Sequence, residues 1–177
     1  MTKRRVFIGI NIPEDISKNI SSIQTGPENI KWVKPENFHI TITFLGQIED
    51  DIFNSIKKPL SEISFNQFKI NLKSIGYWQS GVLWIGASNW LELPNLKDQI
   101  DKKLLEIGIK IEPKPYVPHV TIARPKGRPM DKSLRSFIES NKNFSTTSFT
   151  AKEFVLFESI QDDQGSKYIS HQHYPLK

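Results

Sequence analysis

Residues 38–46 read Phe38-His39-Ile40-Thr41-Ile42-Thr43-Phe44-Leu45-Gly46, and residues 118–124 read Pro118-His119-Val120-Thr121-Ile122-Ala123-Arg124. Each stretch has the composition of a β-strand. Alternate residues of a strand face the same side, so each stretch hides apolar side chains on one face and presents an imidazole and a hydroxyl on the other. One such pair is ordinary on a half-buried strand. Its repetition predicts that both pairs face one cleft.

The two halves of the chain share one predicted order of elements: helix, His-Thr strand, helix, then two strands. Strands are predicted at 5–12, 30–33, 38–45, 67–75, 82–87, 119–124, 149–158 and 167–174, and helices after Pro13 and near 50–60, 94–107 and 131–140. The two motifs lie 80 positions apart (119 − 39). Such a long-period repeat predicts two similar lobes related by a pseudo-twofold axis.

These elements predict an α+β fold with one domain over residues 1–177. We expect two pseudo-symmetric lobes, roughly 1–90 and 91–177, with strands exchanged between them. Each lobe is expected to have an antiparallel sheet with flanking helices, and the two lobes to enclose a central groove. The two motif strands would then meet at that groove.

Composition narrows the classes of function. The 177 residues include no Cys, which excludes disulfides, thiolate nucleophiles and Cys-based metal sites. The net charge of +5 favours a polyanionic partner. No apolar run approaches 18 residues, and the N-terminal stretch lacks the long apolar region of a signal peptide. We therefore expect a cytoplasmic protein without a membrane segment, and a monomer.

Paired imidazoles suit general acid–base chemistry, because their ordinary pKa lies near neutrality. One can take a proton from an attacking water while the other protonates a leaving oxygen. This division of roles fits in-line cleavage of a phosphodiester, with the hydroxyls of Thr41 and Thr121 donating to the non-bridging oxygens. No metal or other cofactor is required. The residue types do not decide which histidine is the acid.

Other candidates surround the motifs. Arg124 follows the second motif and can bind phosphate, but strict alternation would point it away from His119 unless the strand bulges. Four further residues are candidate RNA contacts, by base stacking or by charge: Tyr77, Trp78, Lys126 and Arg128. The remaining histidine pair, His171 and His173, lacks an obvious third metal ligand and is interpreted as surface structure.

The chain resembles the two-histidine phosphoesterases, and within them the bacterial and archaeal RNA 2′,3′-cyclic phosphodiesterases of the LigT type, also called 2′-5′ RNA ligases. The similarity covers nearly the whole chain. Besides the two motifs it includes Arg5-Val6-Phe7-Ile8-Gly9-Ile10-Asn11-Ile12-Pro13, Lys31-Trp32-Val33-Lys34-Pro35-Glu36-Asn37-Phe38, Val82-Leu83-Trp84-Ile85-Gly86 and Leu156-Phe157-Glu158-Ser159. The departures, Ile42, Ile122 and Gly9, are apolar or small and affect no chemical group.

The resemblance implies hydrolysis of RNA-terminal 2′,3′-cyclic phosphates to 2′-phosphates without a metal. It implies that His39 is the proton donor and His119 the proton acceptor, with Thr41, Thr121 and Arg124 binding the phosphate. The partner would be an RNA end, such as that of a tRNA fragment. Three alternatives stay open: 2′-5′ ligase or 2′-5′ phosphodiesterase activity, hydrolysis of small cyclic nucleotides, and a catalytically silent RNA-binding module.

Overall fold

The protein is described by a computed structural model that covers residues 3–89, 91–126, 131–162 and 165–177. The strands are β1 Lys3–Asn11, β2 Ile30–Trp32, β3 His39–Glu49, β4 Phe68–Ile70, β5 Leu72–Tyr77, β6 Leu83–Ala87, β7 His119–Pro125, β8 Phe149–Ala151, β9 Glu153–Asp162 and β10 Gly165–Pro175. The helices are α1 Glu14–Ser21, α2 Asp50–Ser55, α3 Lys57–Ser61, α4 Glu92–Glu106 and α5 Lys132–Ser140, and a single 3₁₀ turn, Pro35–Asn37, precedes β3.

The large antiparallel sheet has the strand order β10-β9-β1-β3-β7-β6-β5, with β2 also paired to β7. A separate ribbon is formed by β4 and β8. The predicted α+β fold class is confirmed. The division of the chain into lobes near residue 90 stays a prediction; each side of the sheet draws strands from both sides of that position.

The centre of the sheet is a narrow junction. β1 and β3 are paired from Lys3 to Asn11, whereas β3 and β7 are paired only at Ile40 and Val120. Four strands lie on each side of this contact: β10, β9, β1 and β3 on one, and β2, β7, β6 and β5 on the other. The two motif strands therefore meet at their first residues and then separate.

Apolar burial explains which face of the sheet is closed. Helix α4 carries an apolar residue at each helical turn, and its stripe of Leu93, Leu96, Ile100 and Leu104 is fully buried. Ile40 and Val120 join the same core. Because neighbouring residues of a strand point to opposite faces, the motif histidines and threonines are left on the face away from this core.

Both motif strands bulge three residues after the histidine. In β3, Thr43 pairs with Ile8 and Thr41 pairs with Gly9, which leaves Ile42 as an extra residue. In β7, Ala123 pairs with Leu83 and Thr121 pairs with Trp84, which leaves Ile122 as an extra residue. Each bulge places two consecutive buried residues in the strand and reverses the alternation beyond them.

Candidate active site

The pairing of β3 with β7 brings the two motifs together. Residues that flank a matched pair of antiparallel strands also lie opposite each other. The pair Ile40–Val120 therefore brings His39 next to Thr121, and Thr41 next to His119. All four of these polar side chains are half-buried on the open face. The result is a four-cornered cluster in which each imidazole has a hydroxyl from the other strand beside it.

Backbone carbonyls determine the tautomer of both imidazoles. Nδ1 of His39 lies 2.8 Å from the carbonyl oxygen of Asn37, and Nδ1 of His119 lies 2.6 Å from that of Val117. A carbonyl oxygen only accepts, so Nδ1 carries the proton in each ring. When the imidazoles are neutral, each Nε2 is thus an acceptor. That of His39 lies 3.1 Å from Thr41 Oγ1, whose hydroxyl donates to it.

Burial favours the neutral form of both rings. The pKa of His39 is lowered from 6.5 to about 4, mainly by desolvation; the Asn37 carbonyl opposes this shift, and the charges of His119 and Arg124 contribute to it. Desolvation likewise lowers the pKa of His119, assisted by the charge of Arg124. The effect of His119 on the pKa of His39, and that of Arg124 on the pKa of both imidazoles, place the three groups within electrostatic reach of one another.

Aromatic rings surround each imidazole. The His39 ring contacts Phe7 at 4.7 Å and Tyr168 at 4.8 Å between centroids, the latter edge-on. The His119 ring contacts Trp78 at 5.5 Å, also edge-on, and lies 6.2 Å from Trp84. These rings restrict the rotation of the imidazoles and exclude water from their faces, which is the physical origin of the desolvation.

The bulge in β7 explains the position of Arg124. With uninterrupted alternation its side chain would leave the face of His119 and Thr121. Because Ile122 and Ala123 are both buried, alternation resumes one residue late and Arg124 returns to that face. Arg124 is exposed and lines a cavity beside the histidines. The corresponding position of β3 is Phe44, half-exposed beneath the guanidinium of Arg5.

A polar network supports β3 from behind. The buried hydroxyl of Thr43 donates to Asp101 Oδ1 at 2.6 Å, and Lys97 pairs with Asp101 Oδ2 at 2.5 Å. Burial raises the pKa of Tyr116, so its phenol stays protonated, and its hydroxyl donates to the carbonyl oxygen of Thr41 at 3.2 Å. Helix α4 and the segment before β7 thereby fix the strand that carries His39 and Thr41.

The remaining sequence candidates lie at different places. Trp78 contacts His119, whereas Tyr77 is half-exposed at the end of β5. Lys126 is exposed just after β7, and Arg128 lies outside the described residues. His171 and His173 each pair with a different carboxylate, Glu158 and Glu153.

The described ranges contain no group of three or more His, Cys, Asp or Glu side chains arranged to hold a metal. No helix in the described part of the chain is long and apolar enough to cross a membrane.

Two lysines beside the histidines, Lys34 and Lys167, were not among the sequence candidates. A cavity of about 460 Å³ adjoins the His39 side of the cluster, and its lining includes Lys34, Asn37, Arg124, Lys167 and Tyr168. These residues come from three segments that are far apart in the chain. The only sequence signal for the two lysines was the overall positive charge, which does not say where the charges converge, whereas Arg124 was predicted from its place after the second motif.

Comparison with known proteins shows the family to which the chain belongs. The family model described as LigT-like phosphoesterase matches residues 10–84 and 90–168. The chain belongs to this family, as its sequence motifs predicted. The RNA 2′,3′-cyclic phosphodiesterase of Methanocaldococcus jannaschii is 37% identical over 171 residues, which cover 93% of this chain and 96% of the relative. The enzyme of the same name from Archaeoglobus fulgidus is 28% identical over the same shares of the two chains.

The fold matches the crystal structure of Escherichia coli LigT without ligand, with a TM-score of 0.82, 22% identity and 99% coverage of both chains.

Proposed function

We propose that the protein hydrolyses RNA-terminal 2′,3′-cyclic phosphates to 2′-phosphates, with His39 as general acid and His119 as general base and without a metal ion. The observation that carries the proposal is the four-cornered cluster, in which two Nδ1-locked imidazoles alternate with two threonine hydroxyls. The names of the relatives that match most of the chain support the substrate.

The proposed reaction uses Nε2 of both rings. Nε2 of His119 takes a proton from a water molecule, whose oxygen forms a bond to phosphorus in line with the bond to the ribose 3′-oxygen. As the latter bond breaks, Nε2–H of His39 protonates the 3′-oxygen. The product carries a 2′-phosphate and a 3′-hydroxyl. The proton gained by His119 and the one lost by His39 are then balanced by exchange with water.

The low pKa of His39 in the free protein is compatible with its role as acid. An anionic phosphate in the cluster favours the imidazolium, and so raises a pKa that burial and Arg124 had lowered. Protonation of Nε2 also changes the role of Thr41. Its hydroxyl no longer donates to His39 and becomes available to a non-bridging phosphate oxygen, alongside that of Thr121.

The test uses a short RNA oligonucleotide that ends in a 2′,3′-cyclic phosphate. We expect His39→Ala and His119→Ala each to lower kcat by at least about 100-fold, the usual contribution of a positioned acid or base. His173→Ala, which changes a histidine outside the groove, is the matched control and should keep wild-type kcat. Phosphorus NMR identifies the product as a 2′- or a 3′-phosphate.

Two results would contradict the proposal. Exclusive formation of a 3′-phosphate would reverse the expected direction of ring opening. Loss of activity in EDTA, restored by a divalent ion, would contradict the metal-free mechanism.

A further inference from the structure

The cavity beside His39 offers a path for the RNA chain. We propose that it binds the backbone phosphate on the 5′ side of the terminal nucleotide, so that the protein prefers oligonucleotides to cyclic mononucleotides. This inference rests on the proposed function and adds a subsite to it. The subsite would distinguish an RNA end from a small cyclic nucleotide, an alternative that the sequence left open.

The cavity lies beside His39, because two of the residues that line it also contact the His39 ring. Asn37 supplies the carbonyl that binds His39 Nδ1, and Tyr168 contacts the His39 ring edge-on; both residues line the cavity. Arg124 lines it as well and lowers the pKa of both histidines. The cavity is therefore continuous with the reaction centre on the side of the proposed acid.

The proposed mechanism puts the RNA on that same side. His39 protonates the 3′-oxygen of the terminal ribose, so the ribose lies next to His39 and the attacking water next to His119. The RNA chain continues from the 5′-oxygen of that ribose, away from the water. The cavity adjoins His39 through Asn37 and Tyr168, whereas Trp78 contacts His119.

The charge of the cavity suits a phosphodiester. Its lining contains four basic residues and one carboxylate: Lys31, Lys34, Arg124, Lys167 and Glu36. Within the described part of the chain, no ion pair is formed by Lys34, Arg124 or Lys167. A backbone phosphate would thus meet three cations that form no ion pair with the carboxylates of the described residues.

The two walls of the cavity are tied together. Lys34 and Asn37 lie on the segment before β3, and Ser166 and Lys167 lie at the start of β10. Asn37 Nδ2 donates to the carbonyl oxygen of Ser166 at 2.7 Å. This bond holds the two lysines on opposite walls of a space of about 460 Å³, within the range of small-ligand sites.

The experiment compares adenosine 2′,3′-cyclic phosphate with the dinucleotide ApA that ends in a 2′,3′-cyclic phosphate. We expect kcat/KM to be about tenfold higher for the dinucleotide, mainly through KM, as for one added charge-assisted contact. The double variant K34Q/K167Q should lose this preference while keeping the wild-type kcat/KM for the mononucleotide. A matched control is the double variant K69Q/K152Q, which makes the same change of charge at lysines outside the cavity lining.

A binding measurement separates the subsite from the chemistry. Dissociation constants are measured for adenosine 3′-phosphate and for the dinucleotide ApA with a 3′-phosphate, neither of which can be ring-opened. The dinucleotide should bind more tightly, and K34Q/K167Q should lower the salt dependence of its log Kd by about 0.7, the value for one phosphate contact on a single strand. Dinucleotide preference in Kd without turnover would support the subsite and refute the proposed function. Equal kcat/KM and equal Kd for the two lengths, or an equal effect of the control variant, would refute the subsite.

Discussion

Protonation of His39 should destabilise the folded protein. The ring is enclosed by Phe7 and Tyr168, and its pKa falls from 6.5 to about 4 because the charged form loses its hydration. In the unfolded chain the same ring is in water and keeps its ordinary pKa. Lowering the pH from 7 to 4 therefore protonates His39 in the unfolded chain before it does so in the folded protein.

The sign and size follow from proton linkage. Between pH 6.5 and pH 4 the unfolded chain binds a proton at His39 that the folded protein does not bind. The free energy of unfolding therefore stays at its full value above pH 6.5 and falls as the pH decreases through this range. A difference of about 2.5 pKa units, at about 1.36 kcal/mol each, corresponds to about 3 kcal/mol.

The assay measures urea unfolding at several pH values for the wild type and for His39→Gln, which cannot titrate there. Carboxylates titrate in both proteins, so the difference between the two curves isolates His39. We expect the wild type to lose about 3 kcal/mol more than the variant between pH 7 and pH 4. NMR titration of the His39 ring protons gives a second reading. Parallel curves, or a ring that titrates near pH 6.5, would refute the argument from burial.

Three further outcomes are expected. Burial lowers the pKa of both His39 and His119, so protonated His39, the proposed acid, is scarce in the free enzyme at neutral pH. The value of kcat/KM for cyclic-phosphate RNA should therefore rise as the pH falls from 8 to 6. A decrease over this range would contradict the assignment. Gly76→Ala puts a methyl group into the ring of Trp84, so it should lower the free energy of unfolding, measured by denaturation, by about 1–3 kcal/mol. It should also reduce activity, because it moves the indole that lies beside His119. Thr43→Val removes the buried hydroxyl that donates to Asp101 of helix α4, so it should lower the free energy of unfolding by about 1–3 kcal/mol. Thr43→Ser keeps this hydroxyl and should keep most of the stability.

Local patterns predicted the type of most elements, but their boundaries depend on partners that are distant in the chain. Gly46 was expected to end the first motif strand. Instead β3 continues to Glu49, because β1 pairs with it as far as Lys3 and the positive φ of 71° at Gly46 is absorbed in a second bulge. The strand predicted at 67–75 is divided, because β4 pairs with β8 whereas β5 pairs with β6. Alternation along one strand cannot show a change of partner.

One predicted helix is interrupted for a reason that its sequence does contain. The apolar spacing from Ile52 to Leu60 indicated a single helix, but the structure has α2 and α3 with a break at Ile56. Pro59 has no backbone N–H and cannot bind the carbonyl of Ser55, so continuous helix is unfavourable there. The apolar stripe remains on one side despite the break, since Phe53, Ile56 and Leu60 are all buried.

Some residues of the candidate site were predicted from the sequence and others were not, because the latter depend on strand partners that are distant in the chain. His39, Thr41, His119 and Thr121 were found because their residue types and spacing repeat within two short segments. The position of Arg124 depended on a bulge, which becomes visible only through the pairing of β7 with β6. Lys34, Lys167 and Tyr168 have no local motif in common; the start of β10, held by the bond from Asn37 to Ser166, places Lys167 and Tyr168 beside the segment that carries Lys34. The catalytic roles of all these residues stay predictions.

The strand order also determines when the buried environment of His39 can form during synthesis. β1 leaves the ribosome long before its neighbour β9 and the following β10. Phe157 and Tyr168, which enclose Phe7 and His39, are contributed by these late strands. A nascent chain therefore contains both histidines before it contains the strands that desolvate the first of them, so the buried environment of His39 can form only after β9 and β10 have been added.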